Sequence, residues 1–392
     1  MRQLLVSLLI PACVGFVGCA GTAVDNGDGS GLGDDGDSGN GGGGGSGSGS
    51  GDTGTAELCA PHGEERILTD DFRAYDVALS GNTVIAATTT AAGGNATTSK
   101  VIACPISGCD VQPAALAMPN RLAEQVEVAA DGADVYWTEH VGTGVDASDR
   151  LIRATATGAN RTTLIDYSTT LTINPIRPVV AGDHRVSFYA WGRQAGNKGE
   201  VRSATSTVAA TSMLTVLDAT FPALATADGY TAVWSQYTGG TPSPDHRIRG
   251  LDSTGAEVVA SPPVEGVSLI ETDGAAVMYA AGSTSSPHLY ACVATDCTNP
   301  VDLTTTYHAY VSKFAFANDR AYFVQALEVC GTTEQKFAFV SCDVAALLDG
   351  SCEPTVHAVN DLHMINMRAL SVGPTTAVYS SKLDGRLVRI DL

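Results

Sequence analysis

The cysteines offer the most reactive side chains of this 392-residue chain, which contains ten of them. Cys104 and Cys109 enclose four residues, as do Cys292 and Cys297, and each pair follows a similar apolar segment. A spacing that repeats in register predicts disulfide bonds, which persist in exported proteins. No CxxC pair occurs and no two histidines stand at ligand spacing near a cysteine, so we predict no metal site. The predicted disulfide bonds are Cys104–Cys109, Cys292–Cys297, Cys342–Cys352 and Cys59–Cys330.

A second group of side chains could bind a ligand, because it contains cations and cations are few in this acidic chain. The chain has 22 Lys and Arg against 42 Asp and Glu, which gives a net charge of −20. The candidate ligand-binding residues are Arg73, Tyr75, Arg177, Lys313 and Arg368. If the fold gathers them at one mouth we expect an anionic ligand, and the alternative is that they form salt bridges at its rim. The acidic balance, without any Lys/Arg cluster, argues against binding to nucleic acid.

Recognisable catalytic motifs are absent from the sequence. It contains no Gly-x-Ser-x-Gly elbow, HExxH motif, P-loop or dinucleotide-binding fingerprint. Its eight histidines are scattered along the chain, with no base paired to a nucleophile at a known spacing. We therefore predict no cofactor, and the sequence assigns no catalytic residue.

The first 18 residues predict an export signal. Arg2 is followed by an apolar run that is shorter than the roughly 20 residues of a membrane-spanning helix. The segment FVGCA at 16–20 resembles a bacterial lipobox, in which the cysteine is acylated and becomes the new N-terminus. This resemblance implies a lipid anchor on Cys19 that holds the protein to the outer membrane of the cell envelope. The alternative is a signal peptide that is cleaved without lipid attachment.

Residues 19–56 predict a disordered linker between the anchor and a folded domain. Sixteen of the 43 glycines fall between Gly21 and Gly54, among Ser, Asp, Asn and Thr. Such a segment cannot bury enough apolar surface to offset its conformational entropy. The remaining residues, 57–392, are long enough to form one large domain.

From residue 57 onward, short apolar runs alternate with Gly, Asp and Asn turns, without a sustained helical pattern. A strand–turn–strand unit recurs seven times, with turns at positions 81, 132, 182, 229, 274, 319 and 373. Four-stranded units every 40–50 residues are typical of a β-propeller. We predict an all-β, seven-bladed propeller, with six or eight blades as alternatives, that forms a monomeric domain. Because the last unit lacks a fourth strand, we expect residues 65–69 to complete it and close the ring.

Two features of the sequence resemble known groups of proteins. The segment VYWTE at 135–139 resembles the repeat of YWTD-type propellers, which implies blade architecture only. The combination of lipobox, Gly/Ser/Asp linker and disulfide-clamped propeller is similar to uncharacterised surface lipoproteins of myxobacteria. We therefore expect a lipid-anchored, non-enzymatic binding or scaffolding module for a protein, peptide or glycan. The alternative is a propeller hydrolase or lyase that acts on envelope or extracellular polysaccharide.

Overall fold

The structure is a computed structural model, and the residues that it describes belong to the compact unit Thr53–Leu392. The described ranges are 57–58, 65–69, 71–89, 99–109, 113–142, 148–168, 179–182, 185–192, 198–205, 211–216, 223–227, 230–237, 245–252, 256–262, 264–283, 286–329, 335–360 and 363–392. The predicted signal peptide 1–18 and the predicted linker 19–56 lie outside these ranges. Also outside them are Cys19, Cys59, Arg177 and Cys330.

The strands form seven sheets, one for each repeat, numbered here along the chain. Sheet 1 contains Arg73–Ser80, Thr83–Thr89, Ser99–Pro105 and Ala114–Ala117. Sheet 2 contains Val128–Asp131, Asp134–Val141, Ser148–Thr155 and Thr162–Ser168. Sheet 3 contains Val179–Gly182, Arg185–Gly192, Lys198–Thr205 and Thr211–Val216. Sheet 4 contains Leu224–Ala227, Tyr230–Tyr237, Asp245–Leu251 and Glu257–Ala260.

The remaining three sheets follow the same order of strands. Sheet 5 contains Leu269–Thr272, Ala276–Ser283, Ser286–Val293 and Asp296–Asp302. Sheet 6 contains Ala309–Ala317, Arg320–Val329, Gln335–Asp343 and Thr355–Asn360, and the short strand Glu57–Leu58 adds to it in parallel. Sheet 7 contains Met367–Val372, Thr376–Ser381, Leu387–Asp391 and, as its fourth strand, Glu65–Thr69.

The sheets follow one another around a closed ring. The first strand of each sheet contacts the first strand of the next, and the first strand of sheet 7 contacts that of sheet 1. The fourth strand of sheet 7 is antiparallel to its third, with Glu65 opposite Ile390 and Ile67 opposite Val388. An early segment of the chain therefore covers the edge of the last sheet, which would otherwise be open for pairing. The predicted class, an all-β propeller, is confirmed.

The hydrophobic core lies between neighbouring sheets, and this explains why the second strands are apolar along their whole length. In the second strand of sheet 1, Val84 and Ala86 pack against sheet 7. The alternate residues, Ile85 and Ala87, pack with Trp137 of sheet 2. Because successive side chains of a strand point to opposite faces, a strand between two sheets needs apolar residues on both.

Tight turns join the first and second strands. Asn318 and Asp319 both have positive φ, 52° and 57°, and they connect the paired residues Ala317 and Arg320. Positive φ at both central residues defines the type I′ turn, which matches the twist of a hairpin. Asn and Asp tolerate this conformation better than most side chains, so the turn dipeptides of the repeat have a local structural role.

Among the described residues, three disulfide bonds clamp the sheets, and each confirms a predicted pair. The Cα atoms are 5.4 Å apart in Cys104–Cys109, 5.1 Å in Cys292–Cys297 and 5.9 Å in Cys342–Cys352. Disulfides persist where thiols are not kept reduced, so these three bonds indicate an extracellular or periplasmic location.

Two short α-helices interrupt the all-β pattern. Leu303–Tyr307 begins at Asp302, whose carboxylate accepts a hydrogen bond from the Thr305 backbone N–H. Val344–Asp349 is capped in the same way by Asp343 and lies within the loop that Cys342–Cys352 closes. Single 3₁₀ turns occur at Ala123–Gln125 and Met364–Asn366. Among the described residues, no helix has the length and apolar character needed to cross a bilayer.

Candidate functional site

A cavity of about 450 Å³ lies on the axis of the ring, where the first strands of all seven sheets converge. Its walls are built mainly from small apolar residues, including Ala78, Ala129 and Ala181. Small side chains leave space where larger ones would fill the channel. A cavity of this size can hold a small molecule or one or two residues of a longer ligand.

Four charged side chains line this axial cavity among the described residues: Asp76, Glu127, Glu271 and Lys313. They come from sheets 1, 2, 5 and 6, either from the first strand or from the residue before it. All four are half-buried, because they face the cavity and remain within reach of water. The cavity therefore combines apolar side chains with charged groups from several sheets, which is a composition that can bind and orient a ligand.

Asp76 links two neighbouring sheets at the cavity wall. Its carboxylate accepts hydrogen bonds from the backbone N–H groups of Val77 (2.9 Å) and of Val128 in sheet 2 (2.8 Å). Burial, and then repulsion by Glu127, raise the pKa of Asp76 to about 8, although the two hydrogen bonds and Lys313 oppose this shift. The carboxyl is thus poised to exchange a proton near neutral pH.

Glu271 and Lys313 are two charged groups that lie close to each other on the cavity wall. Burial raises the pKa of Glu271 to about 7, and the nearby Lys313 ammonium opposes this rise. Within the described residues, neither side chain makes a hydrogen bond or an ion pair. Half-buried polar groups without protein partners are free to bind water or a ligand.

A group of side chains, here named the cationic mouth, consists of Arg73, Tyr75, Arg368 and Lys382; Tyr75 and Arg368 directly precede the cavity-lining residues Asp76 and Ala369 in their strands. The Arg368 guanidinium lies over the Tyr75 ring, 4.5 Å from its centroid. The pKa of Lys382 is lowered by partial burial, and then by Lys313 and Arg368, which are close enough to repel its charge. Lys313 thus connects the mouth to the acidic groups inside.

The loop 381–386 of sheet 7 forms one side of the cationic mouth. The Gly385 carbonyl accepts a hydrogen bond from the Ala74 N–H at 2.8 Å. A Cβ atom on Gly385 would stand 2.8 Å from Cβ and Cγ of Arg73, and its φ is +76°. Glycine is required here both by conformation and by this close approach, which fixes the base of the Arg73 side chain against the loop.

The structure brings together four of the five residues predicted to bind a ligand. Tyr75 contacts Arg368, Lys313 and Arg368 both act on Lys382, and Arg73 packs on the loop that begins at Lys382. Arg177, the fifth predicted residue, lies outside the described residues. The ligand-binding role of all five stays a prediction.

The sequence analysis missed Lys382 and the carboxyls Asp76, Glu127 and Glu271. A signal was present for two of them, because Asp76 and Glu127 each stand five positions before the turn glycine of their repeat. A charged residue at an equivalent position of an otherwise apolar inner strand indicates a group that faces the axis.

Sheet 2 carries two further charge networks. Arg121 is only 7% exposed and pairs with Asp149, which also accepts from His140 Nδ1 at 2.9 Å. Glu139 accepts from the Trp137 indole at 2.7 Å and pairs with Arg161 at 2.6 Å. These carboxylates already have their partners within the protein, so both networks have a structural role.

Metal-ligand geometry is missing from the described part of the chain. Its His, Cys, Asp and Glu side chains form no group of three or more that could hold a metal ion. Asp76, Glu127 and Glu271 belong to three different sheets, so their carboxylates line the cavity rather than converging on one point.

The ring of sheets and its axial cavity define a β-propeller domain. No protein-family model matches the sequence, and neither does any curated protein. Similar solved structures include the β-propeller domain of the Trilobed protease from Pyrococcus furiosus, at 11% identity and a TM-score of 0.54. That match covers 82% of this chain and 95% of the other. It is described as having an open velcro topology, whereas Glu65–Thr69 joins the last sheet here.

A second similar structure is the uncomplexed acylaminoacyl peptidase of Pyrococcus horikoshii, at 10% identity and a TM-score of 0.52. The match covers 83% of this chain but only 52% of the peptidase, so the chain spans about half the length of that enzyme. At these identities the likeness shows the fold alone.

Proposed function

We propose that this protein is a lipid-anchored envelope protein whose propeller is a non-enzymatic binding module for a protein, peptide or glycan. The ligand binds at the cationic mouth through acidic groups and reaches into the axial cavity. The observation that carries this proposal is the gathering of cations at the mouth, where Arg368 lies over the Tyr75 ring at 4.5 Å, Arg73 packs against Gly385, and Lys382 is close enough to Arg368 to be repelled by its charge. In a chain of net charge −20, cations held close enough to repel one another are stabilised by an anionic partner.

The location is part of the same proposal. The lipobox-like segment at 16–20 supports acylation of Cys19 and attachment to the outer membrane. The three disulfide bonds support export from the cytoplasm. A Cys19→Ala variant is expected to leave the membrane fraction, and its retention there would contradict the anchor.

A pull-down from a solubilised envelope extract tests the binding role. The full chain serves as bait beside a variant with Arg73→Ala, Arg368→Ala and Lys382→Ala. A control variant with Arg66→Ala, Arg150→Ala and Arg249→Ala loses the same charge from ion pairs on the third and fourth strands of sheets 2, 4 and 7, away from the mouth. We expect a partner that is retained by the parent and the control but lost by the mouth variant. Equal retention by all three proteins would contradict a role for the mouth.

A second candidate function is a propeller hydrolase or lyase that acts on envelope or extracellular polysaccharide. The raised pKa values of Asp76 and Glu271 favour it, because a general acid must hold its proton near neutral pH. Turnover of extracellular polysaccharide by the parent and by Glu271→Gln tests this function. Loss of turnover in Glu271→Gln, with an unchanged thermal midpoint, would favour the enzyme over the binding module.

A further inference from the structure

We propose that the axial cavity seats a primary ammonium group of the bound ligand, such as a lysine side chain or a peptide amino terminus. In this arrangement the ammonium lies between Glu271 and the Asp76–Glu127 pair, while an acidic group of the same ligand lies at the cationic mouth. The inference rests on the proposed function, because it assigns a chemical class to the ligand of that site: a short peptide segment with both charges.

The charge of the cavity favours a cation inside it. Three carboxyls and one ammonium line the walls among the described residues, so the wall reaches a net charge of −2 once a bound cation has displaced the protons of Asp76 and Glu271. The mouth has the opposite sign, with Arg73, Arg368 and Lys382. A ligand with both charges thus meets complementary potential at each level, and that complementarity also sets its orientation.

The Glu271 carboxylate on the cavity wall can also accept hydrogen bonds from a ligand. Glu271 has no hydrogen bond or ion pair within the described residues, although it is half-buried and faces the cavity. An ammonium carries three donors and no acceptor, so it can satisfy carboxylate oxygens on more than one wall. Asp76 already accepts two backbone N–H groups, so we expect it to contribute mainly through its charge.

The arrangement of the carboxyls selects an organic cation over a metal ion. Asp76 and Glu127 interact with each other, whereas Glu271 is on sheet 5, and the three form no group that could hold a metal. The cavity volume of about 450 Å³ also exceeds the needs of a single ion and suits an alkylammonium chain with apolar contacts to alanine walls.

Binding of a cation should be coupled to proton release. In the part of the chain that the structure describes, the charged groups that face the cavity are Asp76, Glu127, Glu271 and Lys313. In the free protein the pKa of Asp76 is about 8 and that of Glu271 about 7, so at neutral pH Asp76 mostly holds its proton and Glu271 holds one about half of the time. A positive charge beside them lowers both pKa values, and the released protons pass to the buffer.

Three five-carbon probes of matched length test the inference by titration calorimetry of the full chain: cadaverine, 1,5-pentanediol and glutarate. We expect cadaverine to bind the parent and to release protons, measured as a difference in heat between PIPES and HEPES buffers, neither of which contains a primary amine. Pentanediol, the neutral counterpart, should not bind.

Glu271→Gln should weaken the binding of cadaverine about tenfold, because it removes a charged partner. Glu257→Gln, on the outer part of sheet 4, is the control and should leave binding unchanged.

A second variant guards against misfolding as an explanation. Lys313→Gln removes the cation that lines the cavity among the described residues, so we expect cadaverine to bind several-fold more tightly, which a damaged fold would not produce. Absence of cadaverine binding, or equal binding by the parent, Glu271→Gln and Lys313→Gln, would overturn the inference.

Glutarate separates this inference from the proposed function. If glutarate binds the parent but not Arg368→Ala, the cationic mouth is supported, whether or not cadaverine binds. If glutarate binds in this way and cadaverine does not, the proposed ammonium site is contradicted and the proposed cationic mouth is supported. If cadaverine binds as expected and glutarate does not, the ammonium site stands and the proposed mouth is wrong.

Discussion

Single residues in the axial cavity show how burial changes the chemistry of an ordinary carboxyl. Glu271 loses hydration without gaining a hydrogen bond among the described residues, and its pKa rises to about 7. Arg121 is buried more completely, and the fold places the carboxylate of Asp149 beside it in an ion pair. Whether a buried group retains its charge therefore depends on the partner that the fold provides.

The raised pKa of Glu271 predicts a loss of stability as the pH rises. The unfolded carboxyl titrates near its ordinary value of 4.5 and the folded one near 7. Between these values the folded state binds more protons, so the free energy of unfolding falls with increasing pH. Glu271→Gln should match the parent below pH 4.5 and exceed its stability above pH 7 by on the order of 1–2 kcal/mol.

Urea unfolding of both proteins at pH 4 and pH 8 measures this difference. Glu257→Gln, which loses an ion pair with Arg249 at the surface, is not expected to gain stability at pH 8. The same pH dependence in the parent and in Glu271→Gln would show that the cavity does not hold this carboxyl in its neutral form.

The Arg121–Asp149 pair predicts a large effect from a small change. Asp149→Asn keeps the shape of the side chain but leaves Arg121 buried without its counter-charge, which should cost about 3–5 kcal/mol. Asp166→Asn breaks the exposed pair with Arg150 and should cost under about 1 kcal/mol. Urea unfolding at pH 7 compares the two variants, and equal losses would contradict the structural role of the buried pair.

At the scale of strands and helices, most of the fold could be predicted from the sequence. Each repeat carries its own strand–turn–strand signal, and residues 65–69 could be identified as a closing strand because the last repeat lacks one. The helices Leu303–Tyr307 and Val344–Asp349 were not predicted. With five and six residues, they are too short to show helical periodicity.

The strand Glu57–Leu58 leads to a prediction about the fourth disulfide bond. It pairs in parallel with sheet 6, with Glu57 opposite Glu328 and Leu58 opposite Val329. Leu58 and Val329 immediately precede the predicted partners Cys59 and Cys330 in sequence. Because the predicted bond closes a long loop, its removal by Cys59→Ser and Cys330→Ser should lower the free energy of unfolding by about 3–5 kcal/mol.

Peptide mapping without reduction tests this pairing directly. We expect one linked peptide that contains Cys59 and Cys330, which separates on reduction, with the 104–109 bond as an internal control. Free thiols at both positions, or a link from either one to another cysteine, would contradict it.

For the molecule as a whole, closing the ring creates a site that no single repeat contains. Asp76 and Lys313 interact across the axis although they are far apart in the chain, and Tyr75 meets Arg368 only because sheet 7 returns to sheet 1. The cations Arg73, Lys313 and Arg368 could be selected from the sequence because cations are rare in it. Their acidic neighbours could not, since a single carboxyl in a chain with 42 acidic residues is not distinctive.

Protection of lysines from acetylation tests the central claim, that ligands bind at the mouth and axial cavity, most directly. The full chain is labelled with and without the envelope fraction that it retains, and each site is measured by mass spectrometry. We predict that Lys313 and Lys382 become protected, whereas Lys100 and Lys336, on the third strands of sheets 1 and 6, label equally in both samples. Protection of Lys100 or Lys336 with unchanged labelling of Lys313 and Lys382 would place the ligand elsewhere and contradict the account.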